Sequence, residues 1–208
     1  MSKKKSKKEE NLNRYEKLIT ARNFHYENFS KWMTYFYVAI GAIFVGFYSL
    51  PSSHEHYYLM QNILASLGFL ISLYWYWSCK GYYYWNINFI MLINDHEKKH
   101  MKLAPKERVY GVFANKNVQN DYLSPFKGAN ISTSKVAITF AFSVTVTWGV
   151  ILLINLTPEK PLQEYGGLIF IEILASVAIV LISTGIIPKV FLKSKIDHLE
   201  DLEIKQDK

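Results

Sequence analysis

The sequence has very little cysteine and, over long stretches, almost no charge. Its one cysteine, Cys79, excludes an internal disulfide and fits a reducing compartment. Three stretches contain no Asp, Glu, Lys or Arg and a fourth contains only Glu172; they are residues 32–54, 56–79, 136–158 and 165–188. A soluble domain of 208 residues cannot cover so much apolar surface. These absences exclude a disulfide scaffold, an intrinsically disordered chain and a soluble two-domain enzyme.

Hydrophobic residues make up 50% of the chain, and Phe, Trp and Tyr alone account for 16%. A helix needs about 20 apolar residues to cross a hydrocarbon core about 30 Å thick. The sequence therefore predicts an all-α integral membrane protein with four transmembrane helices in two antiparallel hairpins, at residues 32–50, 60–79, 136–156 and 167–187. Pro188 ends the fourth span, and the polar residues 130–134 offer N-caps for the third.

Basic residues are distributed unevenly among the segments outside these spans. Nine Lys or Arg occur in residues 1–31, nine in 80–135 and five from 189 onward, but none in 51–59 and one in 155–166. The positive-inside rule then places both termini and the middle loop in the cytoplasm, which predicts a bacterial inner-membrane protein. The net charge of +7 is explained by this topology, and we predict no direct nucleic-acid site. The long polar leader argues against a cleaved signal peptide.

The segments next to the first hairpin are expected to extend it into the cytoplasm. Residues 1–10 are predicted as a basic disordered tail, and residues 11–31 as a helix continuous with the first span, since neither glycine nor proline interrupts them. Apolar and aromatic residues recur there at helical spacing: Leu12, Tyr15, Ile19, Arg22, Tyr26, Phe29, Met33 and Phe36. We expect this seam to pack on a helical extension over residues 80–103 through Tyr83, Ile87, Ile90 and Met91. Such a two-helix stalk would stand about 30 Å off the membrane.

The remaining segments carry weaker signals. Residues 104–134 mix Pro, Gly, Asn and short apolar groups, which predicts a cytoplasmic loop or a small strand-containing insertion against the stalk. The tail over residues 188–208 alternates charges and is predicted to continue the fourth helix and fray.

Five residues near the start of the first span are candidates for stalk or oligomer contacts: Arg22, His25, Tyr26, Phe29 and Trp32. Arg22 lies on the apolar seam, where a buried guanidinium needs polar partners. One interpretation is that it points outward or bonds tyrosine hydroxyls. The other is a stalk-fixing or subunit-joining ion pair, with Glu27, Asp95 or Glu97 as the carboxylate within the chain.

No metal, cofactor or catalytic site is predicted. His96 and His100 have the i, i+4 spacing that can hold a metal on a helix, but they lack a third clear ligand and are interpreted as a solvated helix end. His54 and His56 are interpreted in the same way. The order GxxxxGK[ST] of a phosphate loop does not occur.

Glu172 is the one acidic residue within a predicted span, and an intramembrane carboxylate is a functional candidate by default. Thr145, Thr147 and Asn155 are its candidate hydrogen-bond partners in the third span. The alternative is that Glu172 lines an aqueous pathway or a subunit interface.

Residues 15–48 carry a family resemblance, through Tyr15, the run from Arg22 to Tyr26, Phe29 and Trp32, and the glycines Gly41 and Gly46. The stretch resembles the RipA-like family of oligomeric bacterial membrane proteins and the multi-span accessory proteins encoded beside type VI-B CRISPR effectors. The resemblance implies a ring-like homo-oligomer in the inner membrane that acts as an accessory or effector in phage defence or stress. It carries over no catalytic residues, and the spacing of Arg22 and His25 is too short for a HEPN ribonuclease signature.

Together these features predict a non-enzymatic, homo-oligomeric inner-membrane protein whose partners are the lipid bilayer and a cytoplasmic RNA-guided effector. It would modulate that effector and alter membrane permeability. The alternative is a small transporter or channel component of ordinary physiology with Glu172 on the pathway. A membrane-embedded enzyme ranks third, because no nucleophile–base pair or metal triad supports it.

Overall fold

The computed structural model describes residues 2–114, 121–157 and 165–192, and in these ranges it contains four long α-helices and no strand. The helices are α1 (Ser2–Ser49), α2 (Tyr57–Lys99), α3 (Thr133–Leu156) and α4 (Tyr165–Ile187). All four are long and apolar enough to cross a membrane. The predicted all-helical class, with four helices long and apolar enough to span a membrane, is confirmed. The predicted fraying after residue 192 lies outside the described residues.

α1 and α2 are much longer than a bilayer is thick. They contain 48 and 43 residues, which correspond to about 72 and 65 Å of helix. The prediction of a disordered tail over residues 1–10 is wrong from Ser2 onward, because α1 begins there. Lys and Glu are good helix formers, and the segment has no glycine or proline to end the helix.

The connection that follows α2 begins with short helical turns rather than strands. Two 3-10 helices, Pro105–Glu107 and Val109–Ala114, follow α2, and the described part of residues 104–134 contains no strand, so the strand-containing alternative is wrong there. Ser132 caps α3 by accepting a hydrogen bond from the Lys135 backbone N–H at 3.4 Å. α4 ends immediately before Pro188, where a π-helical turn, Pro188–Leu192, continues the chain.

The helices pack in the order of the chain, with α2 and α3 in the middle. α1 and α2 form an antiparallel hairpin, and the largest buried side chain of the core, Trp75 of α2, donates its indole N–H to the sulfur of Met33 on α1 at 3.0 Å. Trp77 on the other side of α2 donates to Thr184 of α4 at 3.0 Å. α1 and α4 therefore lie at the two edges of the layer and leave their outer faces open.

Two glycines allow the closest approaches between helices. A Cβ added to Gly68 of α2 would lie 2.5 and 2.7 Å from two ring atoms of Trp148, which is 2% exposed. A Cβ on Gly149 of α3 would collide with the Ser176 hydroxyl of α4. In lipid, where the hydrophobic effect does not drive helices together, such close packing is a main source of stability.

We expect Gly68→Ala to lower the free energy of unfolding in mixed micelles by about 1–3 kcal/mol, because the Trp148 ring cannot move away from the added methyl group. The matched control is Gly81→Ala on the same helix. Nothing lies within 4 Å of a Cβ there, and alanine favours a helix by about 1 kcal/mol over glycine. Equal stability of the two variants, measured by denaturant titration, would contradict this account of α2–α3 packing.

Candidate functional site

A regular seam on α1 faces α2 along almost the whole helix. Eleven half-buried or buried positions along its centre are spaced 4, 3, 4, 3, 4, 4, 3, 4, 3 and 4: Asn11, Tyr15, Leu18, Arg22, His25, Phe29, Met33, Phe36, Ile40, Ile43 and Phe47. They are flanked by half-buried Ile19, Asn28, Ala39 and Gly46. This is the heptad pattern of a coiled coil with a four-residue insertion between Phe29 and Met33, near the start of the apolar span. The part of the hairpin before that span, residues 11–31 of α1 and 80–99 of α2, is here called the stalk.

The predicted seam is correct at six positions, Tyr15, Ile19, Arg22, Phe29, Met33 and Phe36, and wrong at the other two. Leu12 and Tyr26 are 49% and 52% exposed, because Asn11 and His25 occupy the inward positions. On α2, the expected contacts Ile87 and Met91 are also exposed, whereas Tyr83 and Ile90 are half-buried. The side chains of α2 that face the seam are Tyr82, Phe89, Ile93, His96 and Glu97.

Aromatic stacking holds the middle of the stalk. The Phe29 and Tyr82 rings are parallel with centroids 3.7 Å apart, and the His25 ring stacks on Tyr82 at 5.1 Å. Desolvation, and secondarily the nearby Arg22, lower the pKa of His25, so its ring is neutral at pH 7. The sequence candidates His25 and Phe29 are therefore contacts within one protomer.

Arg22 has no carboxylate partner among the residues that the structure describes. Its Nη1 donates to Asn23 at 3.3 Å, and its guanidinium carbon lies 5.6 Å from the centre of the Tyr26 ring. Its Nε is buried without a hydrogen bond. The ion pairs among the described residues are Lys99–Asp95 and Lys127–Asp121, so the expected pairing of Arg22 with a carboxylate of its own chain is not formed.

A buried carboxylate closes the far end of the stalk. Glu97 is 0% exposed, and its Oε1 accepts hydrogen bonds from the Tyr15 hydroxyl at 2.8 Å and from the Val109 backbone N–H at 3.1 Å. Its Oε2 is buried without a partner. Desolvation and the Glu97 hydrogen bond raise the pKa of Tyr15 to about 12, so the hydroxyl remains a donor at all ordinary pH values. One carboxylate thus joins α1, α2 and the second 3-10 helix.

His96 strengthens the same end. It is 3% exposed, and its Nε2 lies 3.0 Å from the backbone oxygen of Asn11, whose side-chain amide donates to the His100 carbonyl at 3.3 Å. The interpretation of His96 as part of a solvated helix end is wrong, although His100 is exposed. Within the described residues no three His, Cys, Asp or Glu side chains are grouped so that they could hold a metal.

Sequence reasoning named Glu97 only as a partner for Arg22 and missed this junction. The signal that could have revealed it is positional: Glu97 lies one helical turn beyond Ile93, on the face of α2 that contacts α1. A charged residue at a buried seam position needs hydrogen-bond partners. Among the seam positions of α1 given above, Tyr15 is the one with a hydroxyl group.

Glu172 lies on the face of α4 that packs against α3. It is 9% exposed and makes no hydrogen bond or ion pair with the residues that the structure describes. Its expected partners are engaged or unpaired: Thr145 and Thr147 donate to carbonyls of their own helix, and Asn155 Nδ2 is buried without a partner. One turn further along, Ser176 donates to the Val146 carbonyl at 3.1 Å.

The outer face of α1 is open and combines aromatic and small residues. Trp32, Tyr35 and Val38 are 59%, 63% and 66% exposed, and nothing lies within 4 Å of a Cβ added to Gly41. Only 11% of the most apolar stretch of α1 is buried within the protomer, compared with 28% for α2. Trp32 and Tyr26, two of the sequence candidates, point away from the protomer core.

These observations define the class of protein: a helical, multi-pass membrane protein whose first hairpin extends beyond the apolar spans as a stalk. The sequence profile of the octameric membrane protein family (8xMP) matches residues 12–157, which is more than two thirds of the chain. The protein belongs to this family. The predicted small oligomeric membrane protein is thereby confirmed at the level of its family.

The match covers α1, α2 and α3 and ends one residue after α3, so that α4 lies outside it. Comparison with curated proteins and with solved structures found no match. The family description names no CRISPR effector, and that link remains a prediction from the resemblance of residues 15–48.

We expect Glu97→Ala to open the far end of the stalk, because it leaves the Tyr15 hydroxyl and the Val109 N–H without their acceptor. The local free energy of opening should fall by about 1–3 kcal/mol. Hydrogen exchange of residues 11–19 and 103–111 would measure it. The control is Asp95→Ala, which removes an exposed pair with Lys99 and should change exchange very little. Unaltered exchange in Glu97→Ala would show that this carboxylate does not hold the junction.

Proposed function

We propose that the protein is a non-enzymatic homo-oligomer of eight copies in the bacterial inner membrane, with both termini and the stalk in the cytoplasm. The observation that carries the proposal is the open outer face of α1, a surface that one protomer leaves uncovered. Membership of an octameric family supports further copies of the chain as its cover. The count of basic residues supports the orientation, since they are concentrated in the leader, the middle loop and the tail.

The outer face of α1 is suited to helix packing in lipid. Gly41 and Ala42 lie together on it between larger apolar residues, and small residues allow two backbones to approach closely. A neighbouring subunit that packs along the outer face of α1 would cover these residues.

The role of the assembly follows from its shape and from the resemblance. Stalks about 30 Å long, held closed by buried polar contacts, would form a ring-shaped platform in the cytoplasm. We propose that this platform binds a cytoplasmic RNA-guided effector and modulates phage defence. The support for that partner is the resemblance of residues 15–48 to CRISPR accessory membrane proteins. A phage plating assay with and without the candidate effector in the same cell tests it.

We expect Gly41→Leu to reduce the oligomer to smaller species in detergent, because the added side chain fills the space that a neighbouring helix needs. The protomer should fold, since nothing lies within 4 Å of the added Cβ and leucine is a better helix former than glycine. Gly185→Leu on α4 is the matched control, because that glycine is equally open within its protomer but lies outside the family match.

Light scattering coupled to size exclusion would measure the mass of both variants. Full-size assemblies of Gly41→Leu would exclude the outer face of α1 as the subunit interface. A smaller assembly for both variants would show that the loss of mass does not depend on which glycine is replaced, and would not support α1 as the interface.

A second candidate function is a hydrated pathway or pore beside α3 and α4. The specific observation in its favour is that, among the residues that the structure describes, Asn155 Nδ2 is buried without a hydrogen-bond partner and the Glu172 carboxylate forms no ion pair. Unsatisfied polar groups in hydrocarbon cost several kcal/mol each, so water or a neighbouring subunit should reach them.

If Glu172 lines such a pathway, vesicles containing the wild-type protein will depolarise, and Glu172→Leu will slow depolarisation roughly tenfold, a barrier change of about 1.4 kcal/mol. A potential-sensitive dye measures the rate. Ser183→Ala is the control on the same helix, because its hydroxyl bonds only its own backbone at Ile179. If vesicles with the wild-type protein and with every variant keep their membrane potential, the pathway is excluded and the scaffold remains as the proposed function.

A further inference from the structure

A small loop between the second 3-10 helix and α3 presents two uncovered apolar side chains. Leu123 and Phe126 are 95% and 96% exposed, the highest values for large hydrophobic residues in the part of the chain that the structure describes. Exposed apolar residues in pairs, unlike isolated ones, indicate an interaction surface. The first described residue of this loop is Asp121, and the loop leads to Ser132, the cap of α3.

Hydrogen bonds within the loop hold these two side chains in a defined arrangement. Asp121 Oδ1 accepts from the backbone N–H groups of Leu123 and Ser124 at 3.0 and 3.2 Å. The Asp121 N–H donates to the Gly128 carbonyl at 3.1 Å and closes the loop at its base. The backbone hydrogen bonds lower the pKa of the Asp121 carboxyl, which therefore stays ionised and keeps its role as acceptor at neutral pH.

The base of the loop is close along the chain to the point where α3 enters the hydrocarbon. Gly128 precedes Thr133, the first residue of α3, by five positions, so the base of the loop is within about 18 Å of the helix start. The first apolar residue of the span, Val136, lies one helical turn further on. This placement holds for either orientation of the protein, because it depends only on where α3 begins.

We infer that Leu123 and Phe126 insert into the lipid surface and that the loop is a peripheral membrane anchor. Their neighbours have the chemistry of the polar boundary: Tyr122 is an amphipathic aromatic residue, and Lys135 complements anionic headgroups. The one carboxylate of the loop, Asp121, is already paired with Lys127 at 3.5 Å. A bilayer surface therefore meets no uncompensated acidic group on the loop.

Insertion would fix the connection between stalk and span at both of its ends. Its upper end is bound to the stalk, where the Val109 N–H donates to Glu97, and its lower end would be held by the lipid. A docking site on a second copy would require a pocket shaped for both side chains. The lipid surface needs no such pocket and is within reach of every protomer.

Spin labels at the tip of the loop test the anchor. In the full-length Cys79→Ala protein, which has no other cysteine, Phe126→Cys is labelled with a nitroxide and reconstituted in vesicles of phosphatidylethanolamine and phosphatidylglycerol. Collision of the label with oxygen, which concentrates in lipid, and with a water-soluble nickel chelate is then measured. The ratio of oxygen to nickel collision should be several-fold higher at Phe126→Cys than at Lys106→Cys, an exposed control in the first 3-10 helix.

Two other outcomes would overturn the inference. Frequent nickel collision equal to that at Lys106→Cys would place the tip in water, and shielding from both reagents would place it against a neighbouring subunit. The same measurement at Leu123→Cys, with Phe126 left intact, shows whether the loop still inserts when its aromatic residue is retained. Because the readout does not involve the effector or permeability, its failure would leave the proposed function untouched.

Discussion

The structure depends on one constraint: a backbone in hydrocarbon must satisfy its hydrogen bonds within its own helix. α1 and α2 keep this helical hydrogen bonding over many more residues than a bilayer can hold. No glycine or proline occurs in the first 40 residues, so nothing ends α1 where the lipid ends. The stalk is thus a direct continuation of the spans rather than a separate domain. A change of tilt or rotation in the spans would be transmitted along rigid helix to the far end, where Tyr15, Glu97 and Val109 meet.

The stalk is held by a seam in which polar groups set the register and apolar groups supply the contact area. Asn11, His25 and Glu97 occupy buried or half-buried positions that an ideal coiled coil would fill with Leu or Ile. A shift of α1 by one helical turn would separate Tyr15 from Glu97 and leave the buried carboxylate with only the Val109 N–H as donor, which is more costly than a misplaced methyl group. The unpaired Oε2 of Glu97 shows that even the native register satisfies this group only in part.

The sequence predicts the features that depend on composition over many residues. It does not predict the features that depend on contacts between particular residues. The four spans and the continuous leader follow from the absence of charge, glycine and proline, which act over many residues. The seam was only partly correct, because hydrophobic periodicity favours Leu12 and Tyr26, whereas the folded chain turns Asn11 and His25 inward to meet His96 and Tyr82. The 3-10 helices and the loop at Asp121 are set by single hydrogen bonds between neighbouring residues, which leave no periodic pattern.

Two features of the described residues that point to a neighbour or to water lie on different helices, and this separation bears on how the assembly is built. The open face at Gly41 is on α1, within the family match, whereas Glu172 is on α4, outside it. α1 and α4 also form opposite edges of the four-helix layer. An interface that uses two different edges of each subunit closes into a ring when the rotation between neighbours is a whole fraction of a turn. If α1 meets the α2–α3 surface of the next subunit, α4 remains on the outside of that contact and Glu172 needs water. If α1 meets α4 instead, one contact covers the open outer faces of both edge helices, whereas Glu172, on the face of α4 that packs against α3, stays within its own protomer.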